Sequence, residues 1–243
     1  MTTSAVNNAY LVLGSFNLSP FTGEIVETPG QVNTLTYSVF GGGGYEYNVP
    51  AIKHGRFDFS GYGDFTASTG ISAVVNASTL GTQYGYMVAI PGTAAGDPCT
   101  IGRGIVDKNM QTFPVGQLPG VSGGLACDTA FALRGAVGAP SATYTTSGLT
   151  GTAVAMTGPT ATQSMYAVLN ITAASGTNLA VKVQSDDNSG FTSATDRITF
   201  STVSATGWQW SSVAGDLSTE TYWRVVATVA SGTFAFSVGF GVA

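Results

Sequence analysis

The run IKHGRFDFSGYGDF at 52–65 alternates in size and polarity: Phe57 and Phe59 fall on one side of an extended chain, with Arg56, Asp58 and Ser60 on the other. That period of two belongs to a strand with one dry and one wet face. Gly61 and Gly63 bracket Tyr62 and predict a turn or bulge. The stretch 66–80, TASTGISAVVNASTL, is the one candidate helix of the first half, and YGYMVAI at 84–90 returns to strand character. The unit predicted is a sheet with one short helix laid on it.

The remaining segments attach to that unit. Strands are predicted at 9–16 and 32–40, with a turn, a short strand and another turn across 20–30. Four glycines at 41–44 require flexibility or positive φ. They fit a hinge, a hairpin tip or a place where another backbone approaches. Residues 45–50 lead back to the opening unit, 91–99 form a long loop, 100–107 a strand, 108–124 a looping connection and 125–137 a strand that closes the first half. The small, uncharged run 139–151 reads as a linker or wide loop and divides the chain into 1–138 and 139–243. Strands then follow at 165–173, 178–185, 196–200, 207–213, 221–229 and 233–242, with a tight loop at 186–190. Their spacing predicts an antiparallel sandwich. The expected fold is mainly β: an antiparallel sandwich or barrel-like domain with one short helix, followed by a C-terminal antiparallel β-sandwich.

Composition sharpens this. Of 243 residues, 44% are apolar and only 9% charged, against roughly 25% charged in an average domain. A lightly charged surface is poorly protected against association, so an assembled state is expected. Thirty-three glycines fit many turns, while 11% aromatic residues argue against disorder. The net charge is −5 and the eight basic residues are scattered, which excludes a protein that grips nucleic acid through clustered cations. Cys99 and Cys127 are read as two buried structural thiols, with a single disulfide as the alternative. No secretory signal is expected at the N-terminus, and no apolar stretch approaches the roughly 20 residues of a membrane span.

Candidate chemistry is sparse. His54 is the sole histidine, beside Lys53 and Arg56, and no G-x-S-x-G elbow accompanies it. One histidine and two distant cysteines lack zinc spacing. Asp186, Asp187 and Asn188 resemble the start of a calcium loop without its closing Glu, and read more simply as a turn. Asp216 and Glu220 are conceivable as a glycosidase pair near Trp208, Trp210 and Trp223, whose indoles fit core packing or protein contact equally well. The glycines at 41–44 lack the ending of a phosphate loop. No catalytic, cofactor or metal site is expected.

The order of segments carries a resemblance. A strand ending GYGDF, a short helix, YGYMVAI, a loop with AAGDP, IGRGIV and a closing LRGAV follow one another. This order resembles the major tail (tail tube) proteins of long-tailed bacteriophages with non-contractile tails. The later NLAVKVQSDDNSGFTSATDRITF, TYWRVVATV and FAFSVGFGV are similar to C-terminal parts of phage virion proteins of that kind. The resemblance implies a structural virion protein made in the host cytoplasm, with no enzymatic activity. It implies homohexameric rings stacked head to tail into a conduit for DNA in transit. Other partners would be the tape measure, terminator and tip proteins, and no membrane. It also implies a loop that docks on the next ring, for which Phe40, Gly41, Gly42, Gly43, Gly44 and Tyr45 are the candidates, and an outer position for the C-terminal half. Like charge keeps DNA from adhering to a conduit, so Glu24, Glu27, Glu46, Asp58 and Asp64 are expected to face the lumen. The alternatives are another phage structural role, as head decoration or fibre module, and a carbohydrate-binding β-sandwich.

Overall fold

The computed structural model describes residues 9–20, 22–38, 46–63, 80–90, 92–127 and 132–243. These form antiparallel strands throughout. The first eight are β1 (Tyr10–Leu13), β2 (Phe16–Asn17), β3 (Thr22–Ser38), β4 (Glu46–Tyr62), β5 (Gln83–Ala89), β6 (Pro98–Thr112), β7 (Gly120–Cys127) and β8 (Ala132–Tyr144). The second eight are β9 (Leu149–Thr150), β10 (Val154–Ala155), β11 (Ser164–Ala174), β12 (Thr177–Asp186), β13 (Thr195–Thr199), β14 (Gly207–Ala214), β15 (Tyr222–Ser231) and β16 (Phe234–Val242).

Eleven strands make one sheet, ordered β14-β11-β16-β8-β6-β5-β1-β2, with β7, β4 and β3 branching from β6. The fork lies on β6 itself. Along one margin Pro98–Ile101 pairs with β8 and Gly104–Thr112 with β7, while the other margin pairs with β5 from Cys99 to Ile105. A second sheet, β10-β15-β12-β13 with β9 on β15, packs over part of the first.

The strands that read as continuous apolar runs are those buried on both faces. On β1 and β5, Leu11, Leu13, Tyr86 and Val88 enter a core with Phe57, Phe59, Val106 and Leu125. Their alternate residues Tyr10, Val12, Met87 and Ala89 enter another with Ile101, Val137 and Val168. The large sheet therefore curls so that β11 lies over β5. The third core is the C-terminal sandwich, where Phe234, Phe236, Val238 and Phe240 of β16 meet Val181, Val183, Trp223 and Val225 of the second sheet.

The mainly β, antiparallel, sandwich-like class is as expected. Among the described residues no helix occurs; of the expected helix at 66–80 only Leu80 is described, in a turn. Several boundaries differ. The strand expected at 9–16 is broken at Gly14, whose φ of +57° turns the chain between β1 and β2. Thr28-Pro29-Gly30 was expected to end a strand, yet β3 runs through it. The register shifts between Thr28 and Gln31, and on an edge strand the missing proline N–H costs no ladder bond. The looping connection expected at 108–124 holds the end of β6 and most of β7. The glycines of β7 are there for close approach: a Cβ on Gly123 would lie 2.5 Å from the Phe59 ring. The strand expected at 125–137 is two strands, β7 ending at Cys127 and β8 beginning at Ala132. The run 139–151, expected as linker or wide loop, is strand to Tyr144. The expected division at 138/139 thus falls inside β8, and β8 pairs with β16 from Gly135 to Tyr144.

Candidate assembly interface

The alternation at the opening stretch is realised in full. Phe57 and Phe59 are buried, while Arg56, Asp58 and Ser60 are half-buried on the opposite face of β4. Arg56 Nε donates to Asp58 Oδ2 at 2.6 Å and Nη2 to Asp58 Oδ1 at 2.9 Å. Its Nη1 reaches Asp107 on β6, across β7. The bonds to these two carboxylates push the guanidinium pKa above its ordinary value. Gly124 of β7 makes room: a Cβ there would stand 2.5 Å from Arg56 Nη2 and 2.6 Å from Asp58 Oδ1. These side chains are about one-third exposed, so the cluster contributes at most about 1 kcal/mol. Its effect is to fix the charge pattern of this face. Ser60 Oγ donates to exposed Glu24 on β3 at 3.4 Å.

Beyond this patch β3 and β4 continue as a two-stranded arm. Each strand has 17 residues. The β7 ladder on β4 stops at Gly55, paired with Cys127, and β3 pairs with nothing but β4 among the described residues. From Thr28 to Ser38 and from Glu46 to His54 the ribbon has no third strand among the described residues, a length of about 30 Å at ~3.3 Å per residue. A lone two-stranded ribbon is marginal in water, and its margins are templates for further strands. The backbone of Glu27 lies opposite Phe57, that of Glu46 opposite Ser38, and that of His54 opposite Gln31. Phe40, Gly41, Gly42, Gly43, Gly44, Tyr45 and Asp64 lie outside the described residues.

Other margins are short or covered. At the β14 edge, Gln209 takes the Ser201 N–H on Oε1 and donates Nε2 to the Ser201 carbonyl, both at 2.8 Å. The amide side chain thus pairs like a strand and blocks addition. The edge strand β13 has five residues and carries Asp196 and Arg197. Asp196 accepts from Lys182 at 2.6 Å and from Gln184 at 2.7 Å, which holds its carboxyl below the usual range. Arg197 pairs with Glu220 at 2.6 Å.

The rival chemistries dissolve into structure. Trp223 is fully buried, its Nε1 donating to the Met156 carbonyl at 2.9 Å. Trp210 packs on Tyr166 with ring centres 5.5 Å apart, and Trp208 lies over Gly85. The indoles form no exposed platform for a sugar. Glu220 is engaged by Arg197, and Asp216 caps its own turn by accepting from the Ser218 N–H and hydroxyl. Asp186 accepts the N–H groups of Asn188 and Ser193, and Asn188 accepts that of Gly190, the bonding of a turn. No cluster of His, Cys, Asp and Glu suited to a metal occurs among the described residues. Cys99 is buried and Cys127 half-buried, and no disulfide joins them.

Two features escaped sequence reading. The β6–β7 loop exposes Phe113, Val115 and Leu118; three apolar residues in an uncharged loop were its only signal. Buried Asn170 of β11 bonds to the backbone of the first half, which a lone Asn in an apolar run does not announce.

No family model and no curated protein matches the chain. Among solved structures, a protein of the virion of a native gene transfer agent particle is similar at TM-score 0.36 and 10% identity, over 53% of this chain and 97% of its own. The Dit (gp 19.1) protein of SPP1, described as a hub of the adsorption apparatus of phages infecting Gram-positive hosts, gives TM-score 0.36 and 10% identity over 97% and 99%. The sheath/tube terminator structure of PVC, an extracellular contractile injection system, gives 0.36 and 13% over 53% and 95%. At scores below 0.5 these likenesses assign no role, and the chain's own margins and faces have to carry the function.

Proposed function

We propose that this chain is a structural protein of a bacteriophage tail, a tube subunit that polymerises with its own copies as stacked rings around a DNA conduit. The observation that carries this reading is the two-stranded arm, whose margins from Thr28 to Ser38 and Glu46 to His54 meet no third strand of the described chain. Backbone donors and acceptors left at a sheet margin are completed by another chain at little cost. The low charge content of 9% supports a surface that is covered in an assembly.

In this reading copies close into hexamers, and Phe40–Tyr45 reach the next ring. The wet face of β4 and its neighbours, with Asp58 and the Glu24 bonded to Ser60, turns to the lumen, and Glu27, Glu46 and Asp64 add to the acidity that keeps DNA from adhering. Arg56 tempers that face, since it compensates one of the two carboxylates it holds. The second sheet stands on the outside. Tape measure, terminator and tip proteins are the other partners, the location is the virion, and the role needs no catalysis or cofactor.

Electron microscopy of the purified chain, concentrated at neutral pH, tests this. Stacked rings or hollow tubes with an acidic bore are expected. Isolated monomers, capsid-type knobs, trimeric fibres or a positively lined bore would contradict it.

A further inference from the structure

We infer that the β6–β7 loop is a plug that seats in an apolar recess at the opposite end of β6 in a second copy of this chain. The inference rests on the reading that copies of the chain assemble, and adds to the arm a second contact between them.

The plug is the run FPVGQLP at 113–119. Phe113 is 65% exposed, Leu118 68% and Val115 wholly so. Gly116, with φ +75°, and the Gln117 N–H bond to the Pro114 carbonyl at 3.3 Å fold the loop back on itself. Pro114 and Pro119 limit the freedom it would lose on docking. Tyr62 and Met110, 66% and 47% exposed, widen the apolar tip.

The recess has a volume of about 510 Å³ and is lined chiefly by Val88, Ile90, Pro98, Cys99, Ala136 and Met156. A cavity of ~150 Å³ already holds a benzene, so the recess has room for the Phe113 ring and a branched aliphatic side chain together. None of the described lining residues is charged, and neither is any residue of the plug. A nucleic acid or an acidic or basic partner would find nothing to pair with on either surface, whereas each surface fits the other.

Their placement decides the occupant. The recess lies at Pro98, where β6 begins, and the plug follows Thr112, where it ends. Fifteen residues of strand separate them by about 50 Å at ~3.3 Å per residue. A chain with a plug at one end and a socket at the other joins head to tail, and each added copy presents a fresh plug. Three apolar side chains bury far less than the ~800 Å² per partner of a stable interface. One plug alone therefore binds weakly, and many engaged together hold firmly.

Ile90 lines the recess and is 40% exposed, and it supplies the test. In the full chain carrying Val115→Cys and Ile90→Cys, with Cys99→Ala and Cys127→Ala, a short bis-maleimide should give a ladder of dimers, trimers and longer products. The ladder should vanish when either introduced cysteine is reverted. Absence of a ladder, or a ladder that survives the reversion, overturns the inference. Separately, Val115→Asp should melt like the parent chain yet require about tenfold higher concentration to assemble, since a buried unpaired charge costs more than the ~1.4 kcal/mol of a tenfold change. Tubes from Val115→Asp at the parent concentration would refute the plug and leave the tube reading intact. A parent chain that never assembles would refute both.

Discussion

Asn170 of β11 donates its side-chain amide to the carbonyl of Gly85 on β5 at 3.2 Å, and to that of Gly14 at 2.8 Å. All of this is buried, and the bonds span 85 and 156 residues of sequence. Tyr10 makes a parallel tie, its hydroxyl donating to Ser237 Oγ at 3.3 Å. The two halves of the chain are thus joined by paired strands and also by polar clasps through a shared core. Asn170→Ala leaves the buried Gly14 carbonyl without the amide donor, while that of Gly85 keeps the Gly14 N–H at 2.8 Å, and should cost about 1–3 kcal/mol. Urea denaturation should show it as a lower midpoint with an unchanged slope. Both halves should unfold in one calorimetric transition; two separate transitions would mean that the clasps are incidental.

Gly85 is the seat on which Trp208 lies. A Cβ there would come 2.7 Å from Trp208 Cε3 and 2.9 Å from Val168 Cγ2. Gly85→Ala should therefore destabilise by about 1–3 kcal/mol through overpacking. Trp208→Leu removes the clashing ring, so the double variant should be more stable than the sum of the single losses by at least ~0.5 kcal/mol. Strict additivity in a denaturation cycle would show that the two residues do not meet.

The hydrogen-bonded carboxylates make acid sensitivity specific. Hydrogen bonds from Ser218 hold Asp216 below the usual range, those from Lys182 and Gln184 hold Asp196 there, and those from the Ser193 and Asn188 backbone hold Asp186 there. A carboxylate with a depressed folded pKa adds stability above its unfolded pKa, near 4, and that stability is lost as pH falls through the folded value. Melting temperature should hold at neutral pH and drop below about pH 4. Asp187 runs the other way, because its bond and like charge with Asp186 push its pKa up. Asp187→Asn should raise the melting temperature slightly at pH 7, and the gain should disappear in acid. A gain that persists at low pH would point to a cause other than charge.

The sequence made strand character legible wherever one face was dry and the other wet, as in Arg56 to Ser60 or Leu179 to Val183. Termini inside apolar runs were legible too when turn chemistry flanked them, as at Asp186–Gly190. Glycine misled in both directions. In β7 it marks close approach by Phe59 and Arg56, not a loop, because only the neighbouring strands reveal what a missing Cβ admits. Pro29 was no stop, since its strand lies at a margin. Asp58 on the wet face of β4 could be picked out from alternation. The clasp of Arg56 with Asp107 could not, because residues 51 apart meet only through the fork on β6.

The central claim is that the margins of the β3–β4 arm are finished by neighbouring copies. Hydrogen exchange of the amides from Thr28 to Ser38 and Glu46 to His54 measures it directly, compared between dilute chain and assembled material. Exchange should be fast in the dilute chain and slow by orders of magnitude on assembly, while amides of β5 and β16 stay protected in both. Equal protection of the arm in the two states would contradict the account.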